Sequence, residues 1–230
     1  MSSQAADILC EELKQKPEML LCLSAGGTPT GLYEELVRRH IRNPKPFGRF
    51  RAMGVDEWGG LPAGSPGTCQ ADLEIKLLAP MEIKRSRFQL FRTNSANPER
   101  ECARMARWLA ANGPIDVCIL GLGLNGHVAM NEPNRALNPH IHVATLAQSS
   151  SHHPMLKSAK RRPRYGLTLG LHEILSSRKI LLLVSGEAKR PILKKLLQSP
   201  VTTNLPASFL WLHPHTTVLC DQAALGAKRL

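Results

Sequence analysis

Residues 115–133 read IDVCILGLGLNGHVAMNEP. An apolar run, Ile115 to Leu122, leads into Gly121, Gly123 and Gly126, with Asn125, His127, Asn131 and Glu132 interleaved. Such a run, short and rich in branched side chains, reads as a buried strand of a parallel sheet. In parallel α/β sheets ligands bind outside the carboxyl ends of the strands. A polar, glycine-rich loop directly after the strand therefore points to both the fold class and the place of the site.

The rest of the chain repeats the pattern. Candidate strands lie at Met19–Ser24, Phe50–Val55, Phe88–Phe91, Ile115–Leu122, Ile141–Leu146, Ile180–Val184 and Thr217–Cys220. Candidate helices lie at Ala5–Gln15, Pro29–His40, Cys69–Leu78, Pro98–Ala111, Gly170–Ser176, Glu187–Gln198 and Pro206–Leu212. In the fourth of these, Cys102, Met105, Ala106 and Leu109 recur at i, i+3, i+4 and i+7, an inward face. Alternating strands and helices predict an α/β fold, a three-layer αβα sandwich with a mostly parallel, Rossmann-like sheet. With 230 residues, 43% of them hydrophobic, the chain can bury one substantial core, and residues 1–230 read as a single domain. GGLPAGSPG at 59–67 reads as a loop, not a boundary.

Composition narrows the function classes. The longest apolar runs, such as ILLLV at 180–184, fall well short of the ~18 residues of a membrane span. The N-terminus shows no basic stretch followed by an apolar core, so a cytoplasmic protein is expected. The six cysteines are scattered without a CxxC pair, which predicts reduced thiols and neither a structural zinc site nor another metal centre. Lys and Arg exceed Asp and Glu by 30 to 18. The basic residues are dispersed and aromatics are only 4% of the chain, too few for base-stacking platforms, so nucleic acid is not the expected partner.

Four strand-end segments carry candidate chemistry. In SAGGTPTGLYEELVRRH, 24–40, Gly26, Gly27 and Thr28 precede a helix start, where backbone N–H groups and the helix dipole attract an anion; a plain βα turn gives the same string. In GVDEWGGLP, 54–62, Asp56 and Glu57 are adjacent carboxylates. Either can serve as a general base if burial brings its pKa toward neutrality, or as a cap on a backbone N–H. In the 115–133 loop His127 is a residue type suited to proton transfer, and Glu132 can orient it or share its proton. In LLLVSGEAKRPILKKLL, 181–197, Lys189 offers a point charge for a phosphate, or is one solvated lysine among many.

In this order, GGTP, DEW with LP, GLGLNGHVAMNEP and the Lys-bearing turn SGEAK resemble the glucosamine-6-phosphate deaminase family over about Met19 to Cys220. PGTC at 66–69, GLGLNGH and PASFLWLH at 206–213 resemble its galactosamine-6-phosphate isomerase branch. The resemblance implies a cofactor-free enzyme that takes a phosphorylated amino sugar to a ketose 6-phosphate and ammonia. It implies that Asp56 moves a proton between C2 and C1 of the open-chain sugar. It makes His127 and Glu132 the ring-opening pair, and gives the phosphate to Thr28, the backbone of Gly26 and Gly27, and Lys189. A further basic residue belongs in SHHPMLKSAK, 151–160, with Lys157 the candidate. Asn125 stands where the deaminases carry Asp, so a neutral amide faces the catalytic His. The chain also starts near the family's first helix: either the start is truncated or an edge strand is missing, which would expose a sheet edge. The alternatives are a 6-phosphogluconolactonase, which shares the fold but lacks NEP after its GH loop, and a sugar-phosphate sensor. A sensor of the repressor kind would carry a helix-turn-helix before the first strand, where residues 1–18 leave no room; a non-catalytic sugar-phosphate-binding protein without its own DNA-binding segment stays an alternative, and would bind without turnover.

Overall fold

The computed structural model describes residues 1–147 and 153–226. Its centre is three short strands whose successive side chains serve opposite layers. In β1 (Leu20–Leu23), β5 (Val117–Gly121) and β8 (Lys179–Val184), Leu20, Cys22, Cys118, Leu120, Ile180 and Leu182 enter one hydrophobic cluster. Leu21, Leu23, Val117, Ile119, Leu181 and Leu183 enter the other. A strand alternates faces at every residue, so a run apolar on both parities is stable only between two helical layers. On one side lie α1 (Ser2–Gln15) and α2 (Thr30–Arg42), with Ala5, Leu9, Leu32 and Leu36 directed inward. On the other lie α4 (Pro98–Asn112) and α6 (Arg190–Gln198), through Cys102, Met105, Ile192 and Leu193.

With β2 (Arg51–Gly54), β4 (Phe88–Gln89) and β9 (Thr216–Cys220), these strands form a six-stranded sheet in the order β4-β2-β1-β5-β8-β9. Every pair in it is parallel. The expected α/β sandwich is present. The expected strand Phe88–Phe91 shortens to Phe88–Gln89. The Cys69–Leu78 helix is α3 (Cys69–Leu73) continued by a π-helical turn, Glu74–Leu78, and Pro206–Leu212 is 3-10. Two short helices complete the set, α5 (Leu171–Leu175) and α7 (Gln222–Leu225).

A second sheet was not expected from the sequence. β3 (Asp56–Gly59), β7 (Tyr165–Thr168) and β6 (His142–Ala144) pair antiparallel in the order β3-β7-β6. The Ile141–Leu146 run thus belongs to this sheet. The junction is one residue long: Val55 N still bonds Leu23 O of the main sheet at 2.9 Å, and Asp56 already pairs with Thr168. The chain turns off the main sheet at its carboxyl end, carrying the Asp56–Glu57 pair with it.

At the opposite, amino end the sheet is clasped by Asp116, which is 5% exposed. Its carboxylate accepts from Leu20 N and Lys16 Nζ, both at 2.8 Å. Its backbone N–H bonds Leu20 O at 2.9 Å and its carbonyl accepts from Lys179 N at 3.0 Å. Asp116→Ala leaves a buried N–H without its acceptor, a loss of about 2–3 kcal/mol, or roughly 5–10 °C in Tm for a chain of this size. Urea unfolding should show a lower midpoint with unchanged slope; an unshifted midpoint would mean the clasp stabilises nothing.

Candidate functional site

The main-sheet strands β1, β2, β5 and β8 are neighbours, so the four segments that follow them lie side by side at one end of the sheet. In the first, Gly26 has φ +110, a backbone conformation that strains any other residue. Its N–H bonds Asp72 Oδ2 at 2.9 Å. Its carbonyl accepts from Thr30 Oγ1 at 2.9 Å and Lys76 Nζ at 3.0 Å. With Gly26 held this way, the loop's outward N–H groups are those of exposed Gly27 and half-buried Thr28. They open onto the start of α2, which has no side-chain cap. An uncapped helix of this length presents unpaired N–H groups and the positive end of its dipole.

At the second segment the two adjacent carboxylates point to opposite sides of β3 and have different partners. Glu57, 1% exposed, accepts from Trp58 N at 2.7 Å and from Cys69 N and Gln70 N at 2.8 Å. Burial pushes its carboxyl up to about 7 while these three N–H groups pull it down. Its partners make it the anchor of the first turn of α3, where Thr68 Oγ1 also accepts from Ala71 N at 3.2 Å. Asp56 faces the loops. Burial raises its pKa to about 6, opposed by a hydrogen bond from the Cys69 thiol and by the charge of His127. The Cys69 Sγ lies 3.6 Å from Asp56 Oδ1.

The third segment is wound tightly, with Gly123 N bonding His127 O at 2.9 Å and Gly126 N bonding Gly123 O at 3.0 Å. The His127 imidazole lies flat on Gly123, where a Cβ would sit 2.5 Å from its ring atoms; only glycine admits this approach. His127 Nδ1 is 3.3 Å from Glu132 Oε2. Asn125 bridges the two, its Nδ2 donating to Glu132 Oε2 at 2.7 Å and its Oδ1 accepting from His127 N at 3.2 Å. Buried Asn131 fastens the loop to the second sheet, its Nδ2 donating to Val128 O at 3.1 Å and to Leu169 O at 2.9 Å.

In the fourth, the Ser185 hydroxyl and Gly186 N–H donate to Asp221 at 2.6 and 3.0 Å, which fixes the turn before α6. Lys189 reaches back to the third segment, its Nζ donating to Leu122 O at 2.5 Å. Burial lowers its pKa, and no carboxylate among the described residues pairs with it.

The structure thus gathers Asp56, Asn125, His127, Glu132 and Lys189 with the Gly26–Thr28 turn. Lys157 is exposed on the short 3-10 turn Pro154–Ser158, with no hydrogen bond or ion pair among the described residues. The side chains of that turn which reach the site are His153 and Met155, at 3.8 and 3.6 Å from where a Gly26 Cβ would stand. Sequence reading passed over His153, although a polar residue directly before Pro154 marks a helix cap. All six cysteines are free thiols. Among the described residues, one cluster has ligand atoms within 4.8 Å of one another and so could hold a metal ion: His140, His172 and Glu173. It shares no residue with the four segments. No helix of the described residues is long and apolar enough to cross a membrane.

Residues 1–219 match the family model described as glucosamine-6-phosphate isomerases/6-phosphogluconolactonase. The chain is 38% identical to the Escherichia coli (strain K12) protein named "Putative deaminase AgaI", over 96% of this chain and 88% of that one. It is 34% identical to glucosamine-6-phosphate deaminase 1 of Bacillus subtilis (strain 168), over 99% and 95%. Among solved structures, a monomeric glucosamine-6-phosphate deaminase superposes with a TM-score of 0.90 at 34% identity, over 99% of this chain and 95% of that one. The 6-phosphogluconolactonase of Trypanosoma brucei gives 0.79 at 20% identity, covering 99% and 94%, a likeness of fold alone. Sequence and fold together place this chain in the glucosamine-6-phosphate isomerase/6-phosphogluconolactonase family.

Proposed function

We propose that the protein is an amino-sugar-6-phosphate deaminase: it converts galactosamine or glucosamine 6-phosphate and water into a ketose 6-phosphate and ammonia, without a cofactor. The observation that carries this reading is a carboxylate raised to about 6, Asp56, in electrostatic contact with a His–Glu pair 3.3 Å apart. Beside them stands a half-buried ammonium, Lys189, with no carboxylate partner among the described residues. The relatives named as deaminases, matched over almost their whole length, support the same choice over lactone hydrolysis.

The chemistry follows from the placement of charge. Lys189 and the N–H groups of Gly27 and Thr28 hold the phosphate, anchoring the sugar by an end that does not react. His127, its Nδ1 3.3 Å from Glu132, takes the proton of the anomeric hydroxyl and passes one to the ring oxygen, which opens the pyranose to the aldehyde. Asp56 removes the C2 proton of the resulting aldehyde as a proton of the substrate's own ammonium moves to the C1 oxygen, leaving the enolamine, and Asp56 then returns its proton to C1 to give the C2 iminium. The C2 iminium then takes up water and releases ammonia. A base must be unprotonated at working pH yet strong enough to take a proton, and a carboxylate near 6 meets both needs where one near 4 is weaker. Asn125 has a defined part: its amide holds Glu132 against His127, using a neutral donor where a carboxylate would repel.

Three outcomes follow. Asp56→Asn should lower ammonia release by at least ~10³-fold, while sulfate still binds; an active variant would remove Asp56 from the chemistry. Activity carried by Asp56 is present while it is ionised, so kcat/KM in wild type should hold above about pH 6 and fall tenfold per unit below it. A flat profile from pH 7 down to 5 would contradict the assignment. Asn125→Asp would set two carboxyls at the 2.7 Å now spanned by an amide hydrogen bond. The pair must then share a proton, with one apparent pKa well above the ordinary carboxyl range. Carboxyl ¹³C NMR reads this directly, and ordinary titration of both groups would show that the side chains are not in contact.

A further inference from the structure

His153 is the least explained polar group near the Gly26 turn. It is half-buried, its ring centroid is 5.9 Å from that of Trp58, and its Cε1 edge faces Gly26. Nδ1 accepts a hydrogen bond from Met155 N at 3.3 Å, capping the 3-10 turn. That bond fixes the tautomer: the proton sits on Nε2, which has no partner among the described residues. The charges that act on the ring come from three other elements: His127 of the third segment, Lys189 before α6, and Asp72 of α3. Burial and the two basic neighbours hold the imidazole below its ordinary pKa against the opposing carboxylate. Asp72 is itself occupied, by Gly26 N and by Lys76 Nζ at 2.5 Å.

We infer that His153 is a specificity-determining residue of the anion end of this site: its neutral Nε2–H donates to the phosphate of the substrate, beside Lys189 and the N–H groups of Gly27 and Thr28. The inference rests on the phosphosugar reading above and adds a donor to it, one supplied by His153 and not by the exposed Lys157. An imidazole held neutral gives direction without a second full charge, so the phosphate is bound by one ammonium and several dipoles. Affinity for the anion then changes little as His153 passes through the pH range where a free histidine titrates.

Sulfate is the suitable probe, because it stays dianionic from pH 6 to 8.5 and its binding is independent of turnover. Calorimetric titration should give His153→Leu a sulfate Kd weaker by roughly tenfold, the loss of one hydrogen bond to a charged acceptor. His153→Gln, whose Nε2 amide can reach a similar position, should stay within about threefold of wild type. Lys157→Ala should bind as wild type does. In ammonia release, His153→Leu should raise KM by a similar factor with kcat nearly unchanged. If Lys157→Ala weakens sulfate and His153→Leu does not, the donor is misassigned. A wild-type affinity that falls tenfold from pH 6 to 8.5, with that fall absent in His153→Gln, would mean an imidazolium and overturn the neutral donor. No sulfate binding by wild type would overturn the inference outright. Sulfate binding with the expected variant pattern but no ammonia release would instead leave His153 in place and remove the deaminase reading.

Discussion

Glu57 holds Cys69 N and Gln70 N from behind β3, and the arrangement of the proton-transfer end depends on that clamp. Because neighbouring residues of a strand point to opposite sides, drawing Glu57 into the protein turns Asp56 outward to the loops. The same clamp sets the first turn of α3 so that the Cys69 thiol meets Asp56. Two adjacent acids thereby take unlike roles. One is buried among backbone N–H groups as a structural anion. The other is desolvated enough to approach neutrality while keeping a weak donor, the Cys69 thiol.

The groups of the site divide by chemistry into two sets. One is Lys189, His153, the uncapped start of α2 and the N–H groups of the Gly26 turn, with Asp72 already occupied. The other is Asp56, Glu132 and His127. In the proposed reaction the first set binds a dianion that takes no part in bond breaking, and the second moves protons along the sugar. The formal charge of +12 adds a general attraction for anions, but the placed groups confer the selectivity.

Much of this was legible in the sequence. The buried strands announced themselves because β1, β5 and β8 are apolar on both parities, and the polar residues after them could only lie at the sheet's carboxyl end. β3 and β7 were not legible. DEWG and YGLT are four residues each, carry Asp, Glu and Gly that disfavour strands, and become strands through pairing with each other. The same blind spot hid the division of labour between Asp56 and Glu57, because the donors that bind Glu57 come from Cys69 and Gln70, across a loop. His153 was overlooked in favour of Lys157, since charge suggests phosphate binding more readily than a neutral ring does. Burial and orientation, absent from composition, favour the histidine.

The measurement closest to the central claim is a side-by-side assay of glucosamine 6-phosphate and galactosamine 6-phosphate, following ammonia and ketose 6-phosphate together. The account predicts that at least one epimer yields the two products in equal amounts without added metal or cofactor. No ammonia from either sugar, with ready opening of 6-phosphogluconolactone by the same preparation, would contradict it.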